Sequence, residues 1–388
     1  MATDHFDLIV VGLGAMGSAV AYHASKMGLA VLGIDRHDPP HGLGSTTAET
    51  RITRLAVGEG PQYLPFVKRS HEIWRELEAE TGVDLLHQSG GIIITEQVAV
   101  PGQRWEDFVV ETARIADEGG IPYELLSPAK VRESWPWIKV PDERNAGFEP
   151  TAGLVMAERA VEVQLQLAAE LGAAIRVNET VSSIETVGDI ITVTTADGSF
   201  TADHVVLATG PWFSELAASE HADQVTVTRQ VVYWFEVDDI EAFTTNAIPF
   251  VMWIAERDED YIALFPAPPD TATPAVKVLG EQFIETTTVE AVDRDVSVAE
   301  IDQFYDTHIA SKFVGVSRNC VRTSVCLYTN TPDDHFLIDS DPRSDAITVM
   351  SPCSGHGFKH SSALGEAVAQ KIVFGESTHN LSPFKSRG

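Results

Sequence analysis

Residues 351–360, SPCSGHGFKH, bring a thiol, two histidines, two glycines and a lysine into ten consecutive positions. Such residues can bind a metal ion, pair a nucleophile with its base, or shape the backbone around a flat ligand. The cysteines of the chain, Cys320, Cys326 and Cys353, form no C-x-x-C pair, which argues against structural zinc. The choice among these chemistries therefore depends on what the rest of the chain binds.

The clearest binding signal lies at residues 7–35, DLIVVGLGAMGSAVAYHASKMGLAVLGID. Its opening apolar run predicts a strand covered on both faces, and the next turn contains G-x-G-x-x-G at Gly12, Gly14 and Gly17. Two of these glycines let the backbone approach a pyrophosphate, and the third lets the following helix pack on the strand. Asp35 ends the second predicted strand, where a ribose-binding carboxylate is expected. We therefore predict a dinucleotide-binding unit.

A second segment bears on the choice between NAD and FAD, which the glycine motif does not distinguish. Residues 201–212, TADHVVLATGPW, predict an apolar strand that runs into Thr209 and Gly210. Flavoproteins with two dinucleotide-binding-type folds return to the sheet beside the flavin through such a strand. The residues before it, from 172 onward, predict two or three strands with glycine turns, a β-meander within the nucleotide domain. This arrangement favours FAD.

Several separated segments share one further pattern: residues 38–78, 145–155, 229–236, 325–339 and 354–362. On these residues the chain resembles the monomeric sarcosine oxidase and N-methyltryptophan oxidase family, amine oxidases of the D-amino-acid-oxidase-like fold. The resemblance implies an α/β (α+β) fold with a two-dinucleotide-binding-type FAD domain and a substrate domain built on a largely antiparallel or mixed sheet. Neither nucleotide segment is complete alone. We therefore expect a discontinuous FAD domain, residues 1–85, 150–220 and 320–388, and a substrate domain, residues 86–149 and 221–319.

The resemblance also implies a covalent flavin. The family joins FAD through a thioether from a cysteine to the isoalloxazine 8α carbon, and this cysteine stands in a C-x-Y-T-x-T-x-D pattern, here residues 326–333. The match places the tether on Cys326. Cys353 is expected to pack or to touch the flavin edge, with a role as the tether as the alternative.

An amino-acid substrate brings a carboxylate into a strongly acidic protein, so the site needs cationic side chains. The planar fork of arginine suits a carboxylate. By resemblance, Arg54 and Lys359 bind this carboxylate, Lys359 also lies beside the cofactor, and Arg51 sits nearer to the flavin. Among the strand aromatics of residues 233–266, Tyr261 is expected to wall the substrate pocket.

The implied reaction removes a hydride equivalent from the carbon beside a secondary amine. The product is an imine that water hydrolyses, and the flavin then reduces O2 to H2O2. Oxygen reduction calls for a positive charge near the flavin. The resemblance assigns this role to Lys277, with Arg51 as the other catalytic residue.

Departures from the family pattern leave the substrate open. A family histidine shortly after the lysine is replaced by Glu281 and Gln282, and paired histidines before Arg51 are replaced by Thr46 and Thr47. The preferred function is oxidation of N-methyl or other N-substituted amino acids. The alternatives are a fructosyl amino acid oxidase, an oxidase of a cyclic imino acid, and a flavin-binding subunit that is not itself an oxidase.

Charge excludes several classes of partner. The 388 residues include 27 Lys and Arg against 57 Asp and Glu, a formal net charge of −30, which repels nucleic acid and anionic membrane surfaces. No apolar stretch has the length that a membrane span needs, and the N-terminal residues lack the pattern of a secretory signal. We therefore expect a cytoplasmic protein that needs no metal, acts as a monomer, and has a small secondary amine and O2 as its partners.

Within residues 351–360 the two glycines, rather than the thiol, are predicted to define the shape of the site. Gly355 and Gly357 are expected to bring backbone N–H groups close to the flavin pyrimidine edge, where side chains would obstruct. His335 and His356 are expected to be hydrogen-bonding scaffold rather than bases. The segment is therefore predicted to be a flavin-facing turn that carries one cation, Lys359.

Overall fold

The computed structural model describes residues 4–96, 108–188, 190–254, 261–271 and 273–387. Numbered in chain order, its strands are β1 (His5–Val11), β2 (Val31–Ile34), β3 (Thr50–Thr53), β4 (Leu86–His87), β5 (Gly91–Glu96), β6 (Glu124–Leu126), β7 (Arg144–Glu149), β8 (Gly153–Met156), β9 (Ala174–Arg176), β10 (Val181–Val187), β11 (Ile190–Thr195), β12 (Ser199–Leu207), β13 (Thr226–Val237), β14 (Phe250–Trp253), β15 (Ile262–Phe265), β16 (Val276–Gly280), β17 (Val316–Asn330), β18 (Leu337–Asp341) and β19 (Ser344–Ser351). The α-helices are α1 (Ala15–Lys26), α2 (Leu64–Thr81), α3 (Phe108–Gly119), α4 (Pro128–Ser134), α5 (Ala157–Glu170), α6 (Phe213–Leu216), α7 (Ser219–Ala222), α8 (Val298–Phe304) and α9 (Ser361–Phe374).

The first sheet contains the predicted nucleotide unit. Its strands run in the order β10-β11-β12-β1-β2-β9, and β19 pairs with both β12 and β18. β1 lies parallel to β2 and β12, whereas β10, β11 and β12 form the antiparallel meander. The strand–helix–strand order predicted for residues 7–35 and the meander after residue 172 are both confirmed.

The glycine motif shapes the junction between β1 and α1. A Cβ at Gly17 would lie 1.8 Å from the carbonyl oxygen of Gly12, closer than any side chain tolerates. Gly12 itself adopts a left-handed backbone with φ 87. The third glycine therefore serves helix-to-loop packing, as the motif predicts.

The second sheet is the expected antiparallel-rich sheet. Its strand order is β17-β13-β16-β15-β14-β5-β7-β6, and β14 with β5 is its parallel pair. Tyr233 on β13 and Trp253 on β14 are almost fully buried in its core. A third, three-stranded sheet joins β3, β8 and β4. The mixed α/β class predicted from the sequence is confirmed.

One expected boundary does not match the strands. The expected last FAD-domain segment begins at residue 320, inside β17, which pairs with β13 from Val316 to Asn330. Backbone pairing along this whole length makes β17 part of the second sheet. A boundary after Asn330 therefore fits the sheets better, and the division into two domains stays a proposal.

In the part of the chain that the structure describes, no helix combines the length and the apolar character that crossing a membrane requires.

Candidate active site

A cavity lies between the carboxyl ends of the first sheet and one face of the second sheet. Its walls include Val11 and Ile34, the last residues of β1 and β2, and Met252 and Ala263 from β14 and β15. Its empty volume is about 1790 Å³ including the mouth. Open α/β sheets bind ligands outside the carboxyl ends of their strands, so this cavity is the candidate site.

Gly12, Gly14 and Asp35 line the nucleotide end of the cavity. Asp35 accepts hydrogen bonds from the backbone N–H of Leu13 at 2.7 Å and from that of His37 at 2.8 Å, one on each carboxylate oxygen. This carboxylate therefore joins the glycine turn to the segment that follows β2. Its predicted contact with a ribose stays a prediction.

Arg51 lies on β3, lines the cavity and binds the loop that precedes its own strand. Its guanidinium donates to the carbonyl oxygens of Ser45, Thr47 and Thr50 at 2.6, 2.6 and 2.8 Å. The loop passes close to the nucleotide end, because the Thr46 hydroxyl accepts a hydrogen bond from the N–H of Ala15 at 3.3 Å.

Lys277 binds the same loop from β16. Its ammonium donates to the carbonyl oxygens of Ala48 and Thr50 at 2.9 and 2.7 Å and to the Thr50 hydroxyl at 2.5 Å. Three acceptors match the three donors of an ammonium. Burial, followed by the charge of Arg51, nevertheless lowers the pKa of Lys277 well below its usual range. Lys277 is 5% exposed and does not line the cavity.

The segment that Lys277 holds has an unusual backbone. Ala48 and Glu49 adopt left-handed conformations with φ 68 and 66, which non-glycine residues seldom occupy. Such strain persists only where the surroundings determine the conformation. Here the determinants include the Lys277 ammonium and an ion pair between Glu49 and Arg322.

Arg54 and Lys359 meet at a buried carboxylate. Arg54 and Lys359 donate to the same oxygen of Glu59 at 2.6 and 3.0 Å, and all three side chains line the cavity. Lys359 also donates to the carbonyl oxygen of His356 at 3.0 Å. Burial acts to raise the pKa of Glu59, but Arg54 and Lys359 outweigh it and hold that pKa well below its usual range. Burial lowers the pKa of Lys359 to about 8, while Glu59 acts in the opposite direction.

Cys326 and Cys353 lie close together at the other end of the site. Cys326 is 2% exposed in an apolar cluster with Tyr328, and Cys353 packs against this cluster. Cys353 lines the cavity, whereas Cys326 lies just behind its wall. Burial raises the pKa of the Cys326 thiol.

The segment after β19 packs tightly against the end of β17. The N–H of Ser354 donates to the carbonyl oxygen of Thr329 at 2.8 Å. Gly355 has φ 79, and a Cβ there would lie 3.1 Å from the Tyr328 ring. A Cβ at Gly357 would lie 1.7 Å from a backbone oxygen. Both glycines line the cavity, and close packing within the chain already requires them.

The two histidines predicted to be scaffold, His356 and His335, make hydrogen bonds within the protein. His356 Nε2 lies 2.9 Å from the carbonyl oxygen of Asp334, so this nitrogen is the donor, and burial lowers the pKa of His356 to about 3. His335 Nδ1 lies 2.6 Å from the Tyr63 hydroxyl. Across the described residues, no group of three or more His, Cys, Asp or Glu side chains is arranged to hold a metal ion.

Most residues singled out by the sequence meet at this one cavity. Those that line it are Gly12, Gly14, Asp35, Arg51, Arg54, Thr209, Gly210, Tyr261, Gly355, Gly357 and Lys359. Gly17, Lys277 and Cys326 do not line it; Gly17 packs against Gly12, and the other two lie behind the wall. The contacts show where these groups are, and their roles stay predictions.

A family model described as FAD dependent oxidoreductase matches residues 7–371. The protein belongs to this family. It is 34% identical over 385 residues to the monomeric sarcosine oxidase of Bacillus sp. (strain B-0618), covering 98% of this chain and 96% of the relative. It is 36% identical over 365 residues to the N-methyl-L-tryptophan oxidase of Yersinia pestis (strain Pestoides F), with 94% of each chain covered. Among solved structures, NikD, an amino acid oxidase essential for nikkomycin biosynthesis, has the same fold, with a TM-score of 0.84, 21% identity, and 99% and 98% coverage.

The residues at the nucleotide end fit the FAD of this family. A Cβ at Gly14 would meet nothing closer than the Thr46 hydroxyl at 3.6 Å, so this side of the turn is open toward the cavity. Among the described residues, the hydroxyls of Ser45 and Thr209 are buried at the cavity without a hydrogen-bond partner. Buried polar groups need partners, and FAD carries donors and acceptors that could satisfy them.

Two cavity acids of this family member were not assigned a role from the sequence. Glu59 stands in an ordinary G-E-G stretch, and its partner Lys359 lies 300 positions away, so no local pattern reveals the contact. For Glu281 the sequence offers one signal, the replacement of a family histidine by an acid, and this signal marks the position without giving it a role.

Proposed function

We propose that this protein is a flavin-dependent oxidase of secondary amines, namely N-methyl or other N-substituted amino acids. The observation that carries the proposal is the position of Arg54 and Lys359 in the same cavity as the glycine turn. The relatives named sarcosine oxidase and N-methyl-L-tryptophan oxidase support the choice of substrate class. Bound FAD would accept a hydride equivalent from the carbon beside the amine nitrogen and pass the electrons to O2, giving H2O2 and an imine that water hydrolyses.

The charges of the Arg54–Glu59–Lys359 group suit one carboxylate. Two cations and one anion leave a net charge of +1 when Lys359 is protonated, and a substrate carboxylate would neutralise it. A lysine ammonium has three donors, and two of them point to Glu59 and the His356 carbonyl. The third donor of Lys359 and the remaining N–H groups of Arg54 are the proposed contacts of the substrate.

Replacing Arg54 by alanine should weaken carboxylate binding. Charge-assisted hydrogen bonds contribute roughly 1.5–3 kcal/mol each, so the apparent KM of Arg54→Ala should rise by about tenfold or more. Steady-state peroxide formation measures this change. The matched control is Arg318→Ala, which removes an exposed arginine from the surface. An unchanged KM in Arg54→Ala would contradict the carboxylate assignment.

Lys277 is proposed to supply the positive charge that favours electron transfer to O2, with its three oxygen contacts stabilising that charge against burial. Lys277→Met should slow reoxidation by O2 by about tenfold or more while slowing reduction by substrate much less. Stopped-flow absorbance measures the two half-reactions separately. Lys130→Met, at an exposed lysine, is the control. Equal losses in both half-reactions would instead indicate that Lys277 only holds the loop at Ala48 and Thr50.

We further propose that FAD is covalently attached through Cys326. This attachment is supported by the sequence pattern, and Cys326 belongs to the apolar cluster against which Cys353, a residue of the cavity wall, packs. The denatured wild-type chain should retain its yellow colour and show the added mass of FAD. Cys326→Ser should lose both, and Cys353→Ser should keep both. The opposite result would move the tether to Cys353.

A panel of amines tests the function itself. Peroxide formation should occur with sarcosine or another N-methyl amino acid. Turnover of fructosyl-valine alone, or of proline alone, would assign the protein as a fructosyl amino acid oxidase or a cyclic imino acid oxidase. No peroxide with any of them would indicate a flavin-binding subunit. A cytoplasmic location and a monomeric state remain part of the proposal.

A further inference from the structure

Glu281 occupies a defined position in the cavity wall. It is 7% exposed, and its Oε1 accepts a hydrogen bond from the Tyr328 hydroxyl at 2.9 Å. Its own N–H donates to the carbonyl oxygen of Tyr261 at 3.2 Å. The next residue, Gln282, exchanges two hydrogen bonds with Gln230, at 3.0 and 2.6 Å. The backbone on both sides therefore holds this carboxylate at the cavity.

Glu281 lies close to the turn that carries Lys359, since a Cβ at Gly355 would lie 3.4 Å from Glu281 Oε1. Burial lowers the pKa of Lys359 and raises that of Tyr328, and the charge of Glu281 acts to raise both. Lys359 belongs to the proposed carboxylate-binding group and lines the same cavity as Glu281. A substrate held at Lys359 therefore has Glu281 in the wall of the cavity that it occupies. Among the described residues, the other acidic, arginine and lysine side chains that line the cavity are Asp35, Arg36, Arg51, Arg54, Glu59, Glu179 and Lys359.

The substrate requires an anionic group that can accept a proton at this place. A secondary amine has a pKa of about 10, like a lysine ammonium, so an N-substituted amino acid is a zwitterion at neutral pH. Its nitrogen must lose a proton before its electron pair can assist removal of hydride from the neighbouring carbon. The nitrogen is separated from the carboxylate by a single carbon atom. A group held at Arg54 and Lys359 therefore places its ammonium within the same small volume of the cavity.

We propose that Glu281 binds the ammonium of the substrate and accepts its proton, so that the enzyme takes N-substituted amino acids as zwitterions. In this step an N–H bond of the ammonium breaks, an O–H bond forms on Glu281, and the electron pair stays on nitrogen. The inference rests on the proposed function, because it concerns the substrate bound at Arg54 and Lys359.

The first test measures binding rather than turnover. Glycine betaine carries a permanent cation, and 3,3-dimethylbutanoate is its neutral carbon isostere with the same carboxylate. At pH 7, wild type should bind betaine about tenfold or more tightly than the isostere, because a buried carboxylate attracts the permanent cation through its charge. Glu281→Gln keeps an acceptor for Tyr328 and should lose most of this preference. Glu285→Gln, the same change at an exposed acid nearby, should retain it. Perturbation of the flavin absorbance reports both dissociation constants.

The second test follows anaerobic reduction by an N-methyl amino acid between pH 6 and 10. Without the acceptor only the neutral amine reacts, so the ratio of kred/Kd in Glu281→Gln to that in wild type should rise by about tenfold per pH unit toward the amine pKa of about 10. Lys359, whose pKa is about 8, contributes to both profiles, which is why the ratio is used. Glu285→Gln should follow wild type.

The possible results distinguish a failure of the Glu281 role from a failure of the proposed oxidase function. Equal binding of betaine and its isostere by wild type, or a pH-independent ratio, would overturn the role of Glu281. The first of these needs no variant and so holds even where Glu281→Gln does not fold. If the protein binds betaine more tightly than its isostere but oxidises none of the amines, the proposed function is refuted and the ammonium-binding role of Glu281 is retained.

Discussion

A single buried carboxylate, Glu59, makes the cationic end of the site possible. Arg54 and Lys359 are 2% and 5% exposed, and burying two like charges side by side is strongly unfavourable without a counter-charge. Glu59 supplies that charge through one oxygen, which both cations share. Removing one partner of a buried ion pair costs about 3–5 kcal/mol, so these three side chains depend on one another. In a chain with a net charge of −30, this group creates a local region of opposite sign that can receive an anion.

The rest of the architecture brings distant segments to this group. Arg54 follows β3, Lys359 lies just before α9, and Glu149 at the end of β7 accepts hydrogen bonds from the N–H groups of Leu55 and Ala56. β17 runs for 15 residues through the second sheet and places Tyr328 in the cavity wall, with Cys326 just behind that wall. The site is therefore a product of the contact between the two large sheets. Neither sheet alone provides the glycine turn, the Arg54–Glu59–Lys359 group and Glu281, which all line the same cavity.

The loop before β3 connects the two functions of the cavity. Arg51 and Lys277 approach it from different strands and saturate its carbonyl oxygens, and the left-handed residues Ala48 and Glu49 lie between their contacts. Because the same loop reaches the glycine turn through Thr46, the cations that hold it also fix the wall on the cofactor side. Burial keeps the pKa of Lys277 low, so its charge depends on the three oxygens that the strained backbone presents to it.

The sequence by itself determined the features that depend on neighbouring residues. The run of apolar residues, the spacing of Gly12 and Gly17, and the alternation in the meander specify strands and turns locally, since each depends on side chains a few positions apart. The motif around Lys359 likewise predicted a cation at the site. The tertiary structure decided what those local rules do not contain: that β17 belongs to the second sheet through Asn330, that Lys277 faces a backbone loop, and that Glu59 and Glu281 enter the cavity. Such contacts join residues tens to hundreds of positions apart, and only the packing of complete sheets brings their charges within reach of one another.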